Sequence, residues 1–176
     1  MGLPVVARIA GNDEWLTVAE TRANGVLAAA VGHYSNAMAR VSLALIGVQR
    51  GDVAAAEEHY AALALVPSLM VFYVSTDRVL GLLCQTMGNL DQAVDHFEDA
   101  LAFNRRAGYR PDLAWNCCDY ADVLLQRAST GSARTESETD RRKAMSLLDE
   151  ALAIANELGM RPLIERVLSR REILNA

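Results

Sequence analysis

Apolar residues recur at intervals of three and four along most of this chain, the spacing of a helix that buries one face. Between 90 and 107 the apolar positions are Leu90, Ala93, Val94, Phe97, Ala100, Leu101 and Phe103, set against Asp91, Asp95, Glu98 and Asp99. Small Ala93 and Ala100 admit a neighbouring helix closely, and Phe97 fills the space between them. Read with its turn formers as boundaries, the pattern predicts helices over 13–31, 34–50, 52–65, 70–87, 90–107, 112–127, 140–158 and 162–174.

The pattern repeats. Gly51, Ala56, His59 and Tyr60 return as Gly88, Ala93, His96 and Phe97 at an offset of 37, and Leu43 and Ile46 fall over Leu80 and Leu83. At an offset of 51, Ala93, Phe97, Ala100, Gly108, Arg110, Pro111 and Leu113 map onto Ala144, Leu148, Ala151, Gly159, Arg161, Pro162 and Ile164. The first helix of the same unit aligns best at an offset of 40, which leaves 11 extra residues. The stretch 128–140, rich in Ser and Thr and poor in apolar side chains, is their expected home as an enlarged hairpin loop, with a binding or modification loop as its functional alternative. Gly51 and Gly88 fall at turns, Gly108 and Gly159 where a helix ends left-handed, and Pro111 and Pro162 where the next helix begins.

One hairpin cannot cover such a stripe alone, whereas a stack of hairpins does. The expectation is therefore one all-α domain over 1–176, an α-α solenoid with units at 34–65, 70–107 and 112–158 and a cap at 162–174. Composition agrees: 52% of residues are hydrophobic but only 6% aromatic, which suits close-packed helices. A net charge of −5 argues against a nucleic-acid partner, since the arginines at 105–110 and 161–171 lie near helix ends or beside acids. Cys84, Cys117 and Cys118 form neither a CxxC pair nor a zinc spacing, which points to a reducing, cytoplasmic setting. Residues 1–10 lack the pattern of a signal peptide, and the apolar run 61–74 is interrupted by Pro67 and falls short of the roughly 20 residues a membrane span needs.

Leu80, Gly81, Gly88, Ala93, Phe97 and Ala100 stand at the spacing of the tetratricopeptide repeat signature, and the unit before is similar through Leu43, Gly51, Ala56 and Tyr60. Cys84 departs from it, at a position usually aromatic, and the units are longer than usual. The resemblance implies a right-handed superhelix of helical hairpins. More narrowly, the runs 97–111, 119–127 and 144–160 resemble the C-terminal helical repeats of bacterial ATPase-containing class III cyclases and LuxR-type regulators. That resemblance implies a sensor or scaffold module of a bacterial signalling or transcriptional regulator. Residues 168–172 are similar to the opening of a LuxR-type DNA-binding domain, but a cap helix accounts for them better.

The chain carries no phosphate loop, no GxGxxG, no HExxH, no GxSxG and no EF-hand loop, so the expectation is a protein that is not an enzyme and takes no cofactor or metal. His59 and His96 occupy equivalent places in successive repeats, too far apart to share an ion, and are expected to be partly exposed. Adjacent Cys117 and Cys118 point about 100° apart on a helix, one inward and one outward. Superposing the units places Met38, Val41 and Leu45, then Arg78, Leu82 and Gln85, then Trp115, Cys118, Asp122 and Leu125 on the first-helix wall. Met38, Leu45, Arg78, Gln85, Trp115, Cys118 and Asp122 are the candidate contacts for a protein or peptide partner, or for other domains of a larger regulator. The alternatives are a homodimeric scaffold pairing through 65–74 and the outer helices, and a small-molecule sensor with a pocket lined by Trp115, Cys118 and Tyr120.

Overall fold

Eight helices and one short hairpin make up the described part of the chain, in the order α1 (Asp13–Ala29), α2 (His33–Arg50), α3 (Val53–Leu63), β1 (Met70–Val71), β2 (Val74–Ser75), α4 (Thr76–Thr86), α5 (Leu90–Ala107), α6 (Arg110–Thr130), α7 (Arg134–Leu158) and α8 (Arg161–Asn175). This computed structural model describes residues 13–29, 32–71, 73–130 and 134–175. The expectations for 1–10, for the end of the first helix at 30–31 and for the middle of the 128–140 loop lie outside those residues. The protein is all-helical apart from the antiparallel hairpin β1–β2, in which Met70 pairs with Ser75 and Val71 with Val74. The backbone divides into two compact units, Met1–Asn89 and Leu90–Ala176.

In the first unit α2 is the central helix, packed against α1, α3 and α4. Gly51 ends it in the left-handed conformation (φ 65°), and the Asp52 carboxylate caps α3 by accepting from the Ala55 N–H at 3.0 Å. Leu43, Leu45 and Ile46 of α2, Ala56 and Leu63 of α3, and Leu80, Leu82 and Leu83 of α4 are buried.

Between α3 and α4 the structure departs from the predicted helix over 70–87. The chain there forms β1–β2, and α4 begins at Thr76 under the Ser75 hydroxyl, which accepts from the Arg78 N–H. Local side chains decide it. The Thr76 hydroxyl accepts from the Leu69 N–H (3.0 Å) and donates to the Val66 carbonyl (3.1 Å), while the Asp77 carboxylate accepts from both the Ser68 N–H (3.0 Å) and its hydroxyl (3.1 Å). These bonds offer 66–69 an alternative to helix, with Ser68 and Tyr73 at positive φ.

In the second unit consecutive helices pack on each other, α5 on α6, α6 on α7 and α7 on α8. Ala93, Phe97 and Ala100 are fully buried, as the stripe predicts, and the Phe97 ring stacks on Tyr120 of α6 at 5.6 Å between centroids. The Asn116 amide donates to the Phe97 carbonyl (3.2 Å), and the buried Asn104 amide donates to the Asp112 carboxylate (2.8 Å). Gly108 and Gly159 have φ of 74° and 67°, as the repeat punctuation predicts, and Pro111 and Pro162 follow in the first turns of α6 and α8.

The enlarged loop over 128–140 is largely helix instead. α6 runs on to Thr130 and α7 starts at Arg134, so the extra residues lengthen two helices. Arg127 donates to buried Asp140 through Nε (2.8 Å) and Nη2 (2.7 Å), and the hydroxyls of Ser129, Thr130 and Thr139 turn back onto carbonyls of their own helices. No helix among the described residues is long and apolar enough to cross a membrane.

Truncating Phe97 removes both the buried ring and its stack, so Phe97→Ala is expected to lower the unfolding free energy by about 3–5 kcal/mol, measured by urea denaturation.

Candidate functional site

Trp115, Cys118, Asp119 and Asp122 lie one helical turn or less apart along one face of α6. Arg166 and Arg170, spaced four apart on α8, reach that face. The Arg166 Nη2 donates to Asp119 Oδ1 and to Asp122 Oδ2, both at 2.8 Å, and its guanidinium carbon sits 5.7 Å from the centre of the Trp115 ring. Arg170 donates to Asp122 through Nε (2.7 Å) and Nη2 (3.4 Å).

Burial sets the character of this cluster. The Asp119 side chain has no exposure, and the cation bonded to it offsets the cost of burying its charge. Burial alone would pull the Arg166 guanidinium down, but Asp119 and Asp122 more than reverse that and hold it above its ordinary range. Trp115 and Asp122 are half-buried, whereas Cys118 is fully buried and its thiol is pushed up to about 12 by desolvation. Cys117 is buried too, its thiol raised by the same cause, and the Cys84 thiol is pushed up to about 11. None of the three is poised to form a thiolate nucleophile.

The opposite flank of α6 is closed by a second set of polar contacts. The Tyr120 hydroxyl donates to Glu98 of α5 (2.7 Å), and Lys143 of α7 bonds the same carboxylate and lies 5.0 Å from the Tyr120 ring centre. Burial would raise the Glu98 carboxyl, but the hydrogen bonds from Lys143 and Tyr120 prevail and lower it. Arg105 of α5 pairs with Glu150 of α7 at 2.6 Å. Helices two apart in sequence, α5 with α7 and α6 with α8, therefore meet through side chains on two separate flanks.

The predicted contact residues fare unequally. Trp115 and Asp122 do share a surface with a guanidinium, and Met38 and Gln85, in the first unit, are half-buried. Leu45, Arg78 and Cys118 are buried and offer no surface as they stand. Cys117 and Cys118 do not divide into an inward and an outward residue, because α6 is covered on more than one side. Of the residues expected to line a pocket, Tyr120 and Cys118 are fully buried and Trp115 is half-buried. His59, expected to be partly exposed, is buried.

A cleft of about 560 Å³ lies elsewhere in this unit, lined by Asp91, Arg127, Ser137 and Asp140 among others, with Arg127 bonded to both Asp91 (3.0 Å) and Asp140. Among the described residues no group of three or more His, Cys, Asp or Glu side chains is placed to hold a metal ion. Asp119, Arg166 and Arg170 are the cluster members that the repeat superposition does not pick out.

No family model matches the chain, and no curated protein matches it.

Replacing Arg166 by Met takes the bonded guanidinium away from buried Asp119, so R166M is expected to cost about 3–5 kcal/mol of stability. Adding Asp119→Asn should recover part of that loss. A double-mutant cycle by urea denaturation, followed by Trp fluorescence, measures the coupling.

Proposed function

We propose that this chain is a non-catalytic binding module: its hairpins continue as a right-handed superhelix of tetratricopeptide type, and the α6–α8 face of the second unit takes a protein or peptide segment. The observation that carries this reading is the Trp115–Arg166–Asp119–Asp122–Arg170 cluster. It links two helices that are not neighbours in sequence, which is how equivalent helices of successive hairpins come to form one wall. Trp and Arg are the side chains that most often anchor interfaces, and here Asp119 and Asp122 hold the guanidinium in place, so little ordering remains to be done on binding. The resemblance to repeats of bacterial cyclases and LuxR-type regulators makes a cytoplasmic sensor or scaffold the fitting context, with another domain of such a regulator as the bound segment. The buried cysteines and the absent catalytic motifs agree with a protein that is not an enzyme.

Peptides selected from a displayed random library against the full chain test this reading. Trp115→Ala is expected to bind the selected peptides about thirtyfold more weakly, the loss of one anchor of roughly 2 kcal/mol, with its helical circular dichroism unchanged. Undiminished binding by W115A counts against this face.

A second reading, self-association, is favoured by the segment before α4, where Leu65 and Tyr73 are 81% and 88% exposed and Val66 is exposed beside Leu65. Sedimentation velocity over a dilution series reads it. A dimer that dissociates in the variant Leu65→Asp/Tyr73→Asp supports this reading, and a monomer at every concentration eliminates it.

A further inference from the structure

His59 is a buried titratable group with no part in the cluster on α6. It sits on α3 at 6% exposure, and among the described residues its buried imidazole Nδ1 has no hydrogen-bond partner. A neutral imidazole places only an idle acceptor there. An imidazolium would place a second N–H donor where no acceptor waits. The surrounding charges are mixed: Glu58 of its own helix and Asp52 in the α2–α3 turn attract a proton, and Arg40 of α2 repels it. The other element packed on α3 is α4, whose titratable side chains are Asp77, bonded to Ser68, Arg78, and Cys84, which shares a hydrogen bond with Tyr60. Burial is the largest influence, and it holds the imidazole below its ordinary value of 6.5.

We infer that His59 is an acid-sensitive latch for α3: taking up a proton unseats this helix from α2 and α4 and uncovers Ala56 and Leu63 next to exposed Leu65. Ala56 and Leu63 are the apolar residues that α3 buries completely, and the chain runs from Leu63 directly into the exposed segment 64–68. The sign follows from linkage. Above 6.5 neither the seated nor the unseated helix holds the proton, and stability is full. As the pH falls through 6.5 the unseated form takes up a proton that the seated form resists, so the latch weakens until the lower, seated value is passed. Mild acid thereby enlarges the apolar surface around Leu65.

Hydrogen exchange read by mass spectrometry on the full chain at about pH 7.5 and about pH 5.5 tests the latch. After correction for intrinsic exchange rates, α3 in the wild type is expected to lose several-fold more protection in acid than α5. His59→Gln should remove that excess. The same excess in H59Q, or an equal loss in α5, overturns the inference. Should H59Q fail to fold, an NMR titration of His59 in the wild type decides: a midpoint below 6.5 supports the latch, and one at or above 6.5 overturns it.

Discussion

The bond between Arg166 and Asp119 constrains everything else in the second unit. A carboxylate with no exposure is a large cost unless a cation reaches it, and the cation comes from the last helix of the chain. α8 is therefore more than an apolar lid on the end of a stack. It completes the electrostatics of α6, and through α6 it bears on the Phe97–Tyr120 stack on the other flank. The cation that neutralises Asp119 also lies against Trp115, so the feature that lets the unit fold shapes the surface proposed for binding.

What the sequence discloses is what its period encodes. Ala93, Phe97 and Ala100 recur at helical spacing and again at the repeat offset, and all three are buried. Helix ends at Gly108 and Gly159 were legible because only a few residues tolerate a left-handed backbone. The hairpin over 70–75 is not legible this way. Val71, Val74 and Leu82 fit a helical stripe, but Thr76 and Asp77 hold Ser68 and Leu69 in a turn through hydrogen bonds that leave no periodic trace. Likewise the Ser- and Thr-rich composition of 128–140 reads as loop, while the ion pair of Arg127 with Asp140 and hydroxyls bonded to their own helix favour two longer helices.

The candidate site was half visible. Repeat superposition brings Trp115 and Asp122 to one wall, and the structure keeps them there. Carried past Ile164, the offset of 51 sets Arg166 over Trp115 and Arg170 over Asp119, so the missing arginines had a trace in the sequence. Reading 162–174 only as a cap hides it. Burial was harder to foresee: Leu45, Arg78 and Cys118 stand at wall positions by register, yet register fixes the direction of a side chain and not what covers it.

One pair sets the hairpins apart from each other. Asn104 and Asp112 are bonded inside the α5–α6 hairpin, and the residues at their places one offset later are Ala155 and Leu163, both apolar. Slid by one turn, or set opposite the apolar residues at those later places, each member would lose this bond. The α5–α6 hairpin thus carries a polar key that the positions one offset later lack.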